Sequence, residues 1–117
     1  MKEIKAYIRL NMIDKVIRAL EGVGVSNMTV IAVKAVWQDM RPEDLQYSLE
    51  LAKKYMDVAK LEIVTRDEDT SRLIELIAQA ARTGRSGDGL IYVSSVEDAV
   101  HIRTGAQGEE ALRVSEQ

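Results

Sequence analysis

The sequence predicts an α+β fold: a βαββαβ chain whose antiparallel sheet carries two helices on one face, with an extra helix over residues 42–56. Three observations predict it. Residues 3–10 and 58–65 alternate apolar and polar side chains with the period of two of a half-buried strand. Each run is followed by a segment whose apolar residues recur at helical spacing. Each helical segment meets glycine and gives way to a second β-rich run. That order is the split βαβ, ferredoxin-like arrangement, and 117 residues make one domain, 1–117. Many functions use such a fold, so the order alone selects none.

In the first strand Ile4, Ala6, Ile8 and Leu10 alternate with Lys5, Tyr7 and Arg9. Asn11 is placed to cap the first helix, with Asp14 three residues on. Ile13, Val16, Ile17 and Leu20 form that helix's stripe, and Gly22 and Gly24 end it. Residues 28–36, rich in β-branched side chains, make the second strand. In the third, Leu61 and Ile63 share one face, and Lys60, Glu62 and Val64 the other. Asp67 suits an N-cap, and Glu68 and Asp69 suit the positive first turn of the second helix. Leu73, Leu76, Ile77 and Ala80 supply its stripe, and Gly84 is the expected left-handed terminator. Residues 90–93 form the fourth strand, 99–103 a short fifth, and 105–112 a final turn of helix.

The interruption at 37–57 has its own local chemistry. Pro42 suits a first helical position, and Glu43 and Asp44 a first turn. Leu45, Leu49, Ala52 and Met56 repeat at helical spacing, and no glycine intervenes. Residues 42–56 therefore read as a helix. It is either a structural helix over the open face of the sheet or one formed in a contact segment.

Composition narrows the function classes. Hydrophobic residues make up 46% but aromatics only 4%, so the core is aliphatic. So short a chain buries a modest share of its surface, which makes an oligomer a natural source of further burial. The net charge of −3, with both signs interspersed, offers no basic stripe for nucleic acid. The absence of cysteine excludes disulfides, thiol catalysis and thiolate metal sites. No stretch has the length of a membrane span and residues 1–5 lack a signal-peptide apolar block, so a cytoplasmic protein without direct membrane insertion is expected.

The densest signal is the run Ala81-Arg82-Thr83-Gly84-Arg85-Ser86-Gly87-Asp88-Gly89, with three of the chain's seven glycines in six residues. Such a loop can bring backbone N–H groups close to an anion, because glycine admits approaches that a Cβ forbids. It also reads as plain punctuation: a helix cap at Gly84 and a tight turn at 87–89. It follows a helix C-terminus, whose dipole repels anions, so Arg82, Arg85 and Arg103 would have to supply positive field.

Together with Met28-Thr29-Val30, Leu61-Glu62-Ile63-Val64 and Ile102-Arg103-Thr104-Gly105, this run resembles the nitrogen regulatory PII signal-transduction family at matching spacing. The resemblance covers nearly the whole chain except residues 37–57. It implies a homotrimer that binds adenine nucleotides in clefts between subunits and presents residues 37–57, a modified T-loop, to a membrane transporter or enzyme. It implies that Thr29, Glu62 and Val64 border the adenosine. Gly84, Arg85, Gly87, Asp88 and Gly89 would form the phosphate-side loop, and Arg103 would reach the phosphates from a neighbouring subunit.

Departures from the family pattern shape what is expected of the ligand. Leu90 and His101 stand where the family has Lys and Arg, so two phosphate-facing cations are lost. Strand alternation would put His101 on the side of Arg103, facing the ligand or serving as a polar cleft residue. Asp39 and Val58 replace the Gln and Lys that 2-oxoglutarate binding needs, with Gln38 one place away. Ala35 and Trp37 replace glycines at the entrance to residues 37–57. Trp37 either stacks on an adenine or fills their space. Leu51 replaces the family's modified Tyr, with Tyr47 and Tyr55 near it. The expectation is ADP or AMP in preference to ATP, with no 2-oxoglutarate. With no nucleophile–base pair in view, the chain reads as a regulator rather than an enzyme. A trimeric interaction module that has lost its ligand is the alternative, and a CutA-like metal-responsive trimer is a third, opposed by a single His and no Cys.

Overall fold

The computed structural model describes residues 1–36, 46–48 and 53–113. Its strands are β1 (Lys2–Arg9), β2 (Thr29–Ala35), β3 (Gln46–Ser48), β4 (Lys53–Thr65) and β5 (Gly89–Ser95). Its helices are α1 (Ile13–Glu21), α2 (Asp67–Ala81) and the short α3 (Glu109–Arg113). The antiparallel sheet has the order β2-β4-β1-β5, and β3 pairs with the outer part of β4. α1 and α2 thus each connect two strands that have a third strand between them, as the split βαβ order requires.

Alternation along the two central strands divides the sheet into a covered and an open face. Ile4, Ala6 and Ile8 stand opposite Ile63, Leu61 and Ala59. With Val16 and Leu20 of α1 and Leu73 and Ile77 of α2, they form the aliphatic core. Their β1 neighbours Lys5, Tyr7 and Arg9 lie on the open face, opposite Glu62, Lys60 and Val58. That face keeps Ile31, Leu90 and Tyr92 exposed, with the ring of Tyr92 meeting Tyr7 edge-on at 5.7 Å.

The element boundaries differ from the expected ones for local reasons. Asn11 does not cap α1: it sits inside a 3-10 turn, Leu10–Met12, and Met12 is the N-cap without a side-chain bond. The tighter turn already hands the Ile13 N–H to the Leu10 carbonyl. Gly24, at φ +91°, turns the chain after α1, and the Val25 N–H reaches back 3.1 Å to Leu20 O. Asp67 is the first helical residue of α2 rather than its cap. Its acidic first turn pairs instead with Arg66, at 3.2 Å from both Glu68 and Asp69. Gly84 is left-handed (φ +86°) but does not terminate α2, because the extended Arg82 has already ended it.

The largest correction concerns residues 42–56. Of that span, Gln46–Ser48 and Lys53–Met56 are strand, not helix. Gln46, Tyr47 and Ser48 pair with Tyr55, Lys54 and Lys53. Met56 belongs to the alternation of β4, buried like Val58 two residues on. Backbone pairing overrode the helical spacing of Leu45, Leu49, Ala52 and Met56. The rest of 42–56 lies outside the described residues. At the base of this extension Lys34 bonds Asp57 at 2.5 Å and lies 4.6 Å above the ring of Tyr55.

Residues 99–103 are likewise not a strand. Only the isolated bridge Val100↔Gln107 forms, and residues 102–104 turn the chain back. Gly105, at φ +75°, donates its N–H to His101 O at 2.8 Å and closes that turn. The final helix begins at Glu109, just after Gly108 at φ +64°.

Leu61→Ala should test the core directly. Leu61 is 0% exposed, so truncation should cost about 2–5 kcal/mol in urea unfolding. Ile102→Ala, at a side chain 99% exposed, should stay within about 0.5 kcal/mol. Equal losses at the two positions would contradict the placement of Leu61 in the core.

Candidate functional site

The residues expected at the site fall into two groups at opposite ends of the sheet. Thr29 of β2 stands directly opposite Glu62 of β4, and Val64 follows on the same face. All three line a cleft of ≈ 970 Å³ that is closed on one side by Ala111, Leu112 and Arg113 of the C-terminal segment. Glu62 is half-buried and pairs along its own strand with Lys60 at 3.4 Å.

The second group is the Gly-rich loop at the other end. Its centre is Asp88. The carboxylate accepts the Thr83 N–H at 2.9 Å, the Gly84 N–H at 3.0 Å, the Arg9 Nε–H at 3.0 Å and the Thr83 hydroxyl. Burial pushes the Asp88 carboxyl upward. The hydrogen bonds from the Thr83 hydroxyl and N–H, Arg9 and Gly84 outweigh it and hold the group at about 2, below its ordinary 3.8. Part of the loop's donor set therefore serves the chain's own anion. Arg85 N–H turns inward as well, to the Thr83 hydroxyl at 3.2 Å. Gly87 and Gly89 follow at φ +88° and +112°, and Leu90 is exposed on the open face.

The separation of the groups follows from register. Glu62 stands opposite Lys5 on one side of β1, and Gly89 opposite Ile8 on the other. That is roughly 10 Å along the strand and roughly 10 Å across it, and Thr29 lies one strand farther. The C-terminal segment belongs with the cleft. Ser95 pairs with Lys2, and the Val96 N–H bonds Met1 O at 3.1 Å, at the end of the sheet where Val64 lies. His101 and Arg103 lie on this segment, on the way to α3.

His101 and Arg103 do not share a strand face as expected, because residues 102–104 form a turn. His101 Nδ1 accepts the Thr104 N–H at 3.3 Å, which assigns the ring proton to Nε2 in the neutral tautomer. Nε2 is buried and has no hydrogen-bond partner among the described residues. Arg103 is exposed.

Other positions singled out by the sequence fare differently. Val58 is fully buried within β4, opposite Arg9 and Val33, with no polar reach toward a ligand. Ala35 ends β2, opposite Met56. Tyr55 is on a strand, under Lys34, rather than on a helix. Trp37, Gln38, Asp39 and Leu51 lie outside the described residues.

The residue that sequence reasoning missed is Arg9, whose side chain is 4% exposed. Alternation placed it on the open face with Lys5 and Tyr7, but its partner Asp88 is 79 residues away in sequence. No local pattern signals such a pair.

Comparisons with known proteins agree with these motifs. A family model described as nitrogen regulatory protein P-II matches residues 1–106. Over 112 residues the chain is 39% identical to the nitrogen regulatory protein P-II of Azospirillum brasilense and 38% identical to that of Rhizobium meliloti (strain 1021). It is 37% identical to the protein of that name from Haemophilus influenzae. Each alignment covers 96% of this chain and 100% of the relative.

Asp88 gives a pH prediction. Its folded value, about 2, lies below the ordinary 3.8, so its contribution to stability is full above 3.8 and is lost as pH falls through about 2. Asp88→Asn should lower the melting temperature at neutral pH, and the gap to wild type should narrow between about pH 4 and pH 2. A gap independent of pH over that window would show that the carboxylate charge holds nothing.

Proposed function

The chain belongs to the nitrogen regulatory protein P-II family, and from that premise we propose a homotrimeric signalling protein that binds an adenine nucleotide between subunits. The observation that carries this reading is the split site. The cleft at Thr29, Glu62 and Val64 and the Gly-rich loop at 84–89 lie apart on one chain, separated by roughly 10 Å along β1 and roughly 10 Å across it. A second copy that brings its loop to the first copy's cleft completes the site. Arg103 and His101 then enter from the cleft side. The exposed Ile31, Leu90 and Tyr92 on the open face give the copies apolar surface to bury against one another.

The chain's departures set the ligand. Leu90 and His101 offer no fixed cation where the family places two, and a hydrogen bond to a charged group contributes about 1.5–3 kcal/mol. ADP or AMP is therefore bound at least as well as ATP. The buried, apolar Val58 leaves no cation for an oxoacid at that position, and 2-oxoglutarate does not bind. Residues 37–57 carry the signal to a membrane transporter or enzyme, and the chain itself catalyses no reaction. No helix among the described residues is long and apolar enough to cross a membrane.

One observation favours a ligand-free interaction module instead: Asp88 already takes two backbone N–H groups of the loop.

Light scattering and calorimetric titration test the reading together. A trimer that binds ADP or AMP no more weakly than ATP, and no 2-oxoglutarate with Mg-ATP, is expected. His101→Arg with Leu90→Lys should raise ATP affinity most, by an order of magnitude or more at about 1.5 kcal/mol per contact. A stable monomer would overturn the shared site. A trimer silent to all three nucleotides would favour the ligand-free module.

A further inference from the structure

Arg9 is a charged side chain with almost no solvent, on a strand whose other polar residues reach water. Buried charge of this kind is tolerated only where it is paired and hydrogen-bonded. Its Nε donates to Asp88 Oδ1 at 3.0 Å, and its Nη2 donates to the Ser86 carbonyl. One planar guanidinium thus grips the Gly-rich loop at two points, as a lysine's single ammonium cannot. The fit is close on the other side too. A Cβ at Gly87 would lie 3.3 Å from Arg9 Nη2 and 3.6 Å from Met56 Sδ, at a φ of +88° that side chains rarely adopt.

The electrostatics give this grip a purpose. Asp88 places a full negative charge inside the loop that must accept phosphates. Unneutralised, it would repel any anion arriving there. Arg9, bonded to Asp88 and to the Ser86 carbonyl, offsets that charge and braces the Thr83–Asp88 turn.

We propose that Arg9 is a positioning residue for anion binding at this loop, acting through Asp88 and Ser86 without touching the ligand. The proposal takes its ligand from the nucleotide reading above, but its effect on the loop stands apart from it. The test uses full-length Arg9→Met and Arg9→Lys, amide exchange resolved by residue, and ADP as the probe. Arg9→Met should accelerate exchange at Thr83 and Gly84 at least about tenfold, the loss of one charged hydrogen bond, while the β1–β4 ladder keeps its wild-type rates. ADP affinity should fall by a similar factor. Arg9→Lys keeps the charge and loses the fork, and should recover part of both effects. The idea is overturned if Thr83 and Gly84 exchange at wild-type rates in the variants. It is equally overturned if loop and ladder accelerate alike in Arg9→Lys as well as Arg9→Met, because Arg9 would then serve general stability only. If the wild type binds no ADP, the nucleotide reading fails, and exchange at Thr83 and Gly84 alone decides the role of Arg9.

Discussion

The rest of the structure depends on the pairing of β1 along both of its edges. Sandwiched between β4 and β5, it cannot slip by one residue without turning Ile4, Ala6 and Ile8 out of the core. The same register fixes Lys5, Tyr7 and Arg9 on the open face. It also sets the distance between the functional ends, since the cleft forms where β1 begins and the Gly-rich loop lies where β1 stops. Core, open face and site spacing are thus one constraint expressed three ways.

Much of this was legible in the sequence because it is local. Period two gave β1 and the inner half of β4, and the stripes of Val16, Leu20, Leu73 and Ile77 gave both helices that cover the sheet. The P-II motifs were legible as short runs at fixed spacing. What failed were readings in which a local spacing was overridden by backbone bonds, whether to distant strands or within a turn. Leu45, Leu49, Ala52 and Met56 have helical spacing, yet Gln46–Ser48 and Lys53–Met56 find strand partners in each other and in β2. The alternation of 99–103 gave way to a turn that Gly105 closes within the segment itself. Of the candidate site, Thr29 and Glu62 could be read as neighbours only once strand order was known. The Arg9–Asp88 pair could not be read at all.

The Gly-rich loop sits where helix electrostatics disfavour an anion. It comes after a helix C-terminus, where exposed carbonyls carry partial negative charge. Here α2 ends at Ala81 and the chain leaves in extended conformation through Arg82. Asp88 then organises Thr83 and Gly84, and Arg9 balances Asp88. The loop's internal carboxylate is thus paired, and Arg82 and Arg85 add positive charge beside it.

The opposed ends of β1 have a consequence for mixed populations of chains. Suppose each interface of a three-membered ring joins the loop of one chain to the cleft of the next. A chain damaged at Glu62 and a chain damaged at Gly87 are each silent alone. Combined in one ring, they form a single intact junction, whether the ring holds two of the first kind or two of the second. Two inactive alleles would then restore function in trans, with a ceiling of one working site in three.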